Sequence, residues 1–301
     1  MDKVEFVIIS FANKKYGLGH FSRSQQIYKY IKKKNNITFI NNKKKNAFFP
    51  YNSKFYEQKI ITKISKLKKI CLIIDLPPKI YDLKFKKLLI KYDFFKSVSR
   101  KFVVVLIDNY KTDLSNIQFT WIPSFYVNKN YKNNRKIYYG WDKYLLPNKL
   151  KIKRNASTER LTLVILVGGS DINSLSHYLP KMIDKNIKKK LNIKLIVGPF
   201  SKKPKLDRNT IHNWKIFKSP SKIQQIIATS DIGFSIYGVS FYELLNQNIP
   251  TVVFCKINKE NKDEIIALES LNIALVSKEI KGITQNLSKL INSKNNRKFY
   301  K

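Results

Sequence analysis

A histidine and an arginine stand close together in a glycine-containing segment near the start of the chain. His20 follows Gly17 and Gly19 in KKYGLGHFSR, and Arg23 comes three residues later, on the same face if the segment is helical. An imidazole can accept or donate a proton near neutral pH, and a guanidinium suits an anionic substrate. We expect His20 to act catalytically and Arg23 to contact substrate or brace the loop. A lone hydrogen-bonded structural histidine is the alternative.

Two aspartates end apolar segments that have the composition of strands. Asp75 ends ICLIID, and Asp108 ends FVVVLID. The carboxyl ends of parallel strands meet at one edge of a sheet, beside the loop that holds His20. Either aspartate could therefore take part in catalysis or orient the imidazole. An aspartate in such a place also caps helices or forms turns, and that role stays open.

Few glycines occur in the second half, and three of them mark turns before predicted helices. The whole chain has nine glycines in 301 residues, so the positions that keep one are informative. Gly168 and Gly169 lie in VGGSD, and Gly238 lies in IYGVS. A glycine turn before a helix can present N–H groups to an anion, although a plain tight turn is the alternative. The dinucleotide fingerprint lacks its third glycine, which argues against NAD.

The hydrophobic pattern predicts an α/β protein. Unbroken Val, Ile and Leu runs alternate with segments of helical spacing, which indicates parallel sheets covered on both faces. We predict two Rossmann-like, doubly wound domains that face each other across a cleft. The predicted strands are 4–10, 37–41, 70–75, 102–108, 161–167, 193–198, 232–236, 251–255 and 273–276. The predicted helices are 21–34, 82–98, 174–187, 221–228, 239–247, 262–271 and 282–293.

The predicted domains divide the chain into two halves. The N-terminal domain is 1–147, the linker 148–160 and the C-terminal domain 161–291. Residues 292–301 form a basic tail that we expect to be frayed. Ligands of such folds bind beside the carboxyl ends of the strands, so we expect the function to lie there.

Charge is the most unusual property of the composition. The chain has 59 Lys and Arg against 20 Asp and Glu, a formal net charge of +39. Seven of the 59 are Arg, the side chain preferred for phosphate and base recognition, and the lysines are spread along the whole chain. We therefore expect no specific nucleic-acid partner. Peripheral contact with an anionic membrane remains open.

Other classes of protein are excluded by composition. Hydrophobic residues make up 43% of the chain, which is globular rather than disordered. No apolar run reaches the about 18 residues that cross a bilayer, and we expect a cytoplasmic protein. Cys71 and Cys255 lie in apolar runs typical of buried thiols. We expect no disulfide, no metal and no cofactor, and the sequence leaves the oligomeric state open.

Four segments together resemble one enzyme family. They are GLGHFSR, VGGSDINSLS, SIYGVSFYELLNQNIPTVVF and NKENKDEIIALESLNIALV. In order and spacing they are similar to the UDP-sugar hydrolases of pseudaminic acid biosynthesis, which act on UDP-2,4-diacetamido-2,4,6-trideoxy-β-L-altropyranose. They also resemble spore-coat polysaccharide glycosyltransferase-like proteins. The resemblance covers about residues 4–277 and implies a GT-B architecture, with UDP held mainly by the C-terminal domain.

The resemblance also implies roles for single residues. In the N-terminal domain, His20 corresponds to the catalytic histidine, and Gly17 and Gly19 to its phosphate-facing turn. In the C-terminal domain, Glu243 corresponds to the carboxylate at the nucleotide ribose, and Asn261 to an asparagine near the substrate. The implied glycine loop and diphosphate turn of that domain comprise Gly168, Gly169, Ser170, Gly238 and Ser240.

The chain departs from the family pattern at three of these motifs. A Leu-Pro pair follows Asp75, where the family usually has His-Tyr and the tyrosine helps catalysis. The second glycine turn reads Tyr237-Gly238-Val239-Ser240, and Asn261 is followed by Lys262 instead of glutamine. The missing tyrosine bears on hydrolysis more than on the fold.

From these residues we expect a nucleotide-sugar-processing enzyme. The leading hypothesis is cleavage of UDP from a UDP-activated amino-deoxy sugar at the anomeric carbon, in surface polysaccharide or nonulosonic acid biosynthesis. Water would attack with inversion under base assistance from His20, and loop N–H groups would stabilise the leaving UDP. The alternative is a UDP-sugar-dependent glycosyltransferase acting on a sugar or lipid-linked acceptor. A binding module without catalysis is a third hypothesis.

Overall fold

The computed structural model describes the chain in two compact units, Met1–Leu145 and Leu146–Lys301. The described residues are 4–44, 47–48, 54, 56–59, 69–77, 80–81, 87, 102–108, 117–132, 134–140, 143–150, 160–171, 173–202, 204–258 and 261–300.

The first unit carries a parallel sheet of six strands. In chain order the strands are β1 (Glu5–Ser10), β2 (Ile37–Ile40), β5 (Ile70–Asp75), β6 (Phe102–Ile107), β7 (Phe119–Ile122) and β8 (Ile137–Tyr139). Their order across the sheet is β2-β1-β5-β6-β7-β8. A separate antiparallel pair consists of β3 (Lys43–Lys44) and β4 (Ala47–Phe48). The sheet order reverses between β1 and β5, and that is where open α/β sheets bind ligands.

Helix α1 (Gly19–Ile31) covers one face of this sheet. Its apolar face packs Ile27 against Ile8 of β1 and Ile73 of β5. The neighbouring residues along these strands point to the opposite face of the sheet. The opposite face buries a second core that includes Ile9, Ile74 and Leu106. Burial of both faces explains why these strands read as continuous apolar runs.

The second unit also carries a parallel sheet of six strands. The strands are β9 (Thr162–Leu166), β10 (Asn192–Val197), β11 (Asn213–Lys218), β12 (Ile232–Ile236), β13 (Thr251–Phe254) and β14 (Leu275–Ser277). The helices are α2 (Leu175–Asn186), α3 (Ile223–Ala228), α4 (Val239–Asn246), α5 (Lys262–Ser270), α6 (Ile280–Asn292) and α7 (Lys294–Phe299). The order β11-β10-β9-β12-β13-β14 reverses between β9 and β12.

Two cores hold the second unit together. The larger packs α2 and α6 on one face of the sheet through residues such as Leu179, Phe234 and Leu287. The smaller packs Leu244 of α4 and Ile227 of α3 against the other face. The predicted fold class is therefore confirmed, with two parallel sheets and helices packed on both faces of the second.

The differences between the predicted and observed elements are mostly at sheet edges. Strands β7, β8 and β11 were not predicted, because FTWI, IYY and NWKIFK are short or polar and lie at or next to an edge. The predicted helix over 82–98 lies outside the described residues except at Lys87, and the predicted linker 148–160 does so over 151–159.

The C-terminal tail is helical where frayed chain was expected. Arg297 Nη1 donates to the carbonyl oxygens of Leu290 and Ile291, at 2.7 Å and 2.9 Å. A cation at the carbonyl-rich end of α6 is favourable, and it holds α7 in place. The expectation of a frayed tail is wrong for Lys294–Phe299.

Two further features concern membranes and thiols. Among the described residues, none of the helices combines the length and hydrophobicity that a membrane span requires. Cys71 and Cys255 are free thiols, and burial raises their pKa values to about 11 and about 12. Both are therefore poor nucleophiles at neutral pH.

Substitution of two glycines of the second unit should separate a packing requirement from a simple propensity effect. A Cβ on Gly198 would collide with the backbone of Gly169, whereas a Cβ on Gly282 in α6 would lie 3.9 Å from Ser277 Oγ. We expect Gly198→Ala to lower the free energy of unfolding by about 1–3 kcal/mol. Gly282→Ala should raise it by roughly 0.5–1 kcal/mol. Urea unfolding measures both, and equal effects would contradict the packing argument.

Candidate active site

The loop that leads from β1 to His20 is held by two side chains from elsewhere in the first unit. Asn42 forms a double hydrogen bond with the backbone of Ala12, accepting at 2.9 Å and donating at 2.6 Å. Tyr56 donates to the carbonyl oxygen of Ser10 at 2.8 Å. Gly17 has a φ of 74°, in the left-handed region, so its turn favours glycine. The loop is thus fixed where it enters α1.

His20, Arg23 and Asp75 form a hydrogen-bonded cluster at the point where the sheet order reverses. The imidazole Nδ1 of His20 lies 2.7 Å from Asp75 Oδ1. Arg23 donates to both oxygens of the same carboxylate, from Nη2 at 2.7 Å and from Nε at 3.0 Å. The side chains of Asp75, Arg23 and His20 are 0%, 9% and 18% exposed. The structure therefore brings Asp75 to His20 and Arg23, which lie more than 50 residues before it in the sequence.

The charge state of this cluster follows from its contacts. Burial alone would raise the pKa of Asp75, but the charge of Arg23 and the hydrogen bonds from His20 and Arg23 outweigh it and lower the pKa to about 2. Burial alone would lower the pKa of Arg23, but Asp75 and Asp108 raise it well above its usual value. Both groups are charged across the neutral range.

An ionised Asp75 fixes the tautomer of His20. The carboxylate has no hydrogen to give, so Nδ1 must carry the hydrogen that joins them. Arg23 Nη2, 3.3 Å from Nδ1, is also a donor and leaves this assignment unchanged. In a neutral ring Nε2 then holds the free electron pair, as it does in a Ser-His-Asp triad. The arrangement can accept a proton at Nε2.

The second strand-end aspartate has a different partner. Asp108 accepts a hydrogen bond from Arg23 Nη1 at 3.0 Å, and its side chain is 44% exposed. It has a φ of 57°, so the chain turns sharply after β6. Of the two expected orienting residues, Asp75 contacts the imidazole, and Asp108 contacts the guanidinium. All three nitrogens of Arg23 are engaged, which favours the brace over the substrate contact.

Two members of this site were missed in the sequence. Ser24 donates from Oγ to Asp75 Oδ2 at 2.9 Å, and the serine is fully buried. A serine directly after Arg23 was a local signal that could have been used. Asn42 gives no local signal, because its partner Ala12 lies 30 residues away.

In the second unit, the first glycine loop closes on itself. Gly168 has a φ of 80° and packs against Ile236, and Gly169 packs against Gly198. After Ser170, the buried Asp171 accepts hydrogen bonds from the backbone N–H groups of Leu175 at 2.7 Å and Ser176 at 3.0 Å. The expectation of free donors at the start of α2 is wrong for these two groups. The roles predicted for Gly168, Gly169 and Ser170 stay predictions.

The second glycine turn leaves its helix uncapped. Gly238, with a φ of 139°, precedes α4, whose N-terminus has no side-chain cap and no acidic residue in its first turn. Ser240 lies in that first turn and is half-buried. A helix N-terminus without a side-chain cap, together with the helix dipole, is suitable for an anion.

Glu243 lies further along the same helix. Gln224 Nε2 donates to its Oε1 at 3.0 Å. Burial raises the pKa of Glu243 to about 7, and the hydrogen bond from Gln224 opposes that shift only in part. The carboxyl is therefore short of hydrogen-bond donors, and a further donor such as a hydroxyl would favour its charged form.

Asn261 closes the loop between β13 and α5. It exchanges hydrogen bonds with Asn258, accepting at 2.8 Å and donating at 2.9 Å, and its Nδ2 donates to the carbonyl of Lys256 at 3.0 Å. The β12–α4 turn lies at the same end of the sheet. Its Tyr237 is half-buried, and its hydroxyl contacts Glu264 and Tyr242. Among the described residues, no three His, Cys, Asp or Glu side chains are placed to hold a metal ion.

Comparison with known proteins identifies the fold of the chain from solved structures, whereas the comparisons of its sequence give no match. No protein-family model matches the chain, and a search of curated proteins finds no match. MurG of Acinetobacter baumannii is similar in structure, with a TM-score of 0.57 and 10% identity over 99% of this chain and 93% of that one. The chain has the GT-B fold.

Two other solved structures of this fold carry nucleotides. The spinosyn rhamnosyltransferase SpnG, complexed with thymidine diphosphate, matches with a TM-score of 0.55 and 9% identity, over 99% of this chain and 94% of that one. UDP-GlcNAc 2-epimerase of Neisseria meningitidis, bound to UDP-GlcNAc, matches with a TM-score of 0.55 and 12% identity, over 98% and 94%.

Arg23 pairs with a buried and with a half-exposed aspartate, and removing the charge of the buried one should lower the free energy of unfolding much more. Asp75→Asn leaves the buried charge of Arg23 poorly paired, and we expect the first unit to lose about 3 kcal/mol. Asp108→Asn, at a half-exposed site, should cost at most about 1 kcal/mol. The stabilisation from Asp75 is present above the pKa of an unfolded aspartate and is lost as the pH falls toward about 2, so the gap between Asp75→Asn and the unmodified chain should narrow in acid. Urea unfolding from pH 7 to pH 2.5 measures this, and equal losses would contradict it.

Glu243 should make stability fall as the pH rises. Its folded pKa, about 7, exceeds the value of an unfolded glutamate, so the folded state holds the extra proton and loses stability between about pH 4.5 and pH 7. Glu243→Gln should remove this slope and be more stable than the unmodified chain by roughly 2–3 kcal/mol at pH 8, with little difference at pH 4.5. The matched control is Glu269→Gln, which removes an exposed ion pair to Lys278. A pH-independent effect of Glu243→Gln would contradict the assignment.

Proposed function

We propose that the chain is an enzyme that cleaves UDP from a UDP-activated amino-deoxy sugar, with water as the acceptor. The observation that carries this proposal is the imidazole of His20, held by a buried, ionised Asp75 at 2.7 Å. The nucleotide-bearing structures of the same fold and the resemblance to UDP-sugar hydrolases support the choice of substrate.

In the proposed reaction, His20 removes a proton from the attacking water. The water oxygen forms a bond to the anomeric carbon as the bond from that carbon to the UDP oxygen breaks, which inverts the configuration. The proton goes to Nε2 of His20, and the electron pair of the broken bond leaves with UDP. Asp75 stabilises the imidazolium that forms, because its charge lies on the opposite side of the ring.

The leaving diphosphate is assigned to the start of α4. The other glycine-turn helix of the second unit, α2, already uses the N–H groups of Leu175 and Ser176 for Asp171. Helix α4 has neither a side-chain cap nor an acid in its first turn, so its N–H groups can stabilise the developing negative charge. Gly238 and Ser240 would approach the phosphates.

The ribose is assigned to Glu243. Its carboxyl is held by Gln224 on Oε1 and has a pKa near 7 because burial leaves it short of donors. A ribose diol would supply two donors to such a carboxylate. Binding would then favour the charged form and release a proton, so affinity for UDP would rise as the pH increases through 7.

The second candidate function is transfer of the sugar to a hydroxyl acceptor. The specific observation in its favour is the Leu76-Pro77 pair after Asp75, where the resembled hydrolases have His-Tyr. Pro77 stands at the position of the tyrosine, and a proline offers no hydroxyl there. Leu76, at the histidine position, is 1% exposed and packs in the core of the first unit. His20 could equally take the proton of an acceptor hydroxyl.

Incubation of the purified chain with UDP-sugars should release UDP and free sugar without any acceptor. His20→Ala should reduce this rate by at least about 100-fold and leave the Kd for UDP within about 2-fold, because the base acts on water and not on the nucleotide. Coupled detection of UDP and mass spectrometry of the sugar give the two products.

The matched control is His177→Ala, an exposed residue of α2 in the second unit, which should keep the unmodified rate. Release of UDP that begins only when a hydroxyl acceptor is added would support the transferase. Turnover by His20→Ala at the unmodified rate would remove His20 from the mechanism.

A further inference from the structure

A half-buried tyrosine, Tyr237, lies in the turn between β12 and α4. The Tyr237 hydroxyl donates to Glu264 Oε1 at 2.8 Å, and its oxygen lies 3.3 Å from the Tyr242 hydroxyl. Burial raises the pKa of Tyr237 far above its ordinary value, so the hydroxyl keeps its proton. It has one hydrogen, which goes to Glu264, and Tyr242 must therefore be the donor to Tyr237. The three groups form a chain of hydrogen bonds with one direction.

This chain of hydrogen bonds joins two loops at the carboxyl ends of neighbouring strands. Tyr237 directly precedes Gly238 and the uncapped start of α4, and its backbone N–H donates to Phe254 of β13 at 3.0 Å. Glu264 lies in the first turn of α5, three residues after Asn261. A displacement of either loop would break the bond between Tyr237 and Glu264.

Apolar packing does not require the hydrogen bond between Tyr237 and Glu264. Phe241 and Tyr242 pack beside Tyr237, with ring centroids 5.8 Å and 6.3 Å away. A phenylalanine at 237 could keep this packing and would avoid the burial of a hydroxyl. Packing alone would allow the β12–α4 turn to shift. The hydrogen bond between Tyr237 and Glu264 is directional and therefore restrains the turn.

We propose that Tyr237 and Glu264 are positioning residues that hold the start of α4 and the start of α5 in the arrangement that binds a nucleoside diphosphate. This inference rests on the proposed function, in which the N–H groups of α4 receive the diphosphate. Donors that are fixed before the ligand arrives need no reorganisation when it binds, so the restraint contributes to affinity.

The restraint acts on the phosphates and not on the nucleoside. The assigned ribose carboxylate, Glu243, is held separately by Gln224. Loosening the turn should therefore weaken the binding of UDP while the binding of uridine stays the same. A general loss of structure would weaken both ligands, so the ratio of the two dissociation constants is diagnostic.

The experiment measures Kd for UDP by calorimetry and Kd for uridine by ligand-observed NMR. Tyr237→Phe and Glu264→Ala should each weaken UDP binding about 10-fold, the effect of losing about one hydrogen-bonded restraint, with uridine unchanged. The double variant should bind UDP no more weakly than either single one, because both remove the same bond. The matched control is Tyr178→Phe, an exposed tyrosine of α2, which should change neither constant.

The outcomes separate this inference from the proposed function. Absence of UDP binding by the unmodified chain would overturn both. Normal UDP binding by Tyr237→Phe and Glu264→Ala, or an equal loss for UDP and uridine, would overturn the inference and leave the proposed function standing. If Tyr237→Phe does not fold, Glu264→Ala carries the test, since Glu264 is only half-buried.

Discussion

The ion pair between Arg23 and Asp75 is the constraint on which the rest of the first unit's site depends. Both charges are removed from water, and each would be very costly to bury alone. Arg23 belongs to α1 and Asp75 ends β5, so their bidentate contact fixes the helix against the strand end. His20 lies one turn before Arg23 on the same helix, and its imidazole is therefore placed by the same pair.

A buried ion pair of this kind fixes the positions of its two residues more than it stabilises the fold. The Coulomb attraction of a buried ion pair roughly offsets the cost of removing its charges from water, and an apolar pair of similar size often gives a more stable protein. The pair keeps Asp75 ionised, however, with a pKa of about 2, and an ionised Asp75 sets the tautomer of His20. An apolar replacement would leave the fold and remove the oriented base. The cluster is thus better explained by chemistry than by folding.

The sequence predicted those parts of the fold that arise from local patterns. Strands β1, β5 and β9 are continuous apolar runs between helical segments, and their bounds agree with the structure within one or two residues. Strand β11, NWKIFK, has two lysines among its apolar residues. It lies at a sheet edge, where one side of the strand need not be buried, so its composition resembles that of a loop. Edge strands of this kind are hard to recognise, because tertiary pairing decides their conformation.

The candidate site was predictable in its residues and not in its connections. All four residues of the cluster were selected from the sequence. His20 and Arg23 stand out in a glycine-containing segment, and Asp75 and Asp108 stand out at the ends of apolar strands. Which aspartate meets the imidazole could not be read, since that depends on the sheet order β1-β5-β6. Asp171 was missed for a related reason. Its carboxylate caps α2 from inside the turn, and the residues of a self-capped and an open glycine turn look alike in sequence.

The contrast between the two glycine turns also bears on the chemistry that the fold can support. A turn closed by its own carboxylate is electrostatically satisfied, and a phosphate there would face Asp171. The start of α4 has no such carboxylate in its first turn, and the proposed function therefore places the leaving group there. In the first unit, Pro77 stands where the resembled hydrolases have a tyrosine, and His20 is the single oriented base of the described cluster. Under the proposed function, one base and one leaving-group site suffice for either water or a hydroxyl acceptor. The choice between them then depends on which oxygen reaches Nε2 of His20, and not on the strength of the base.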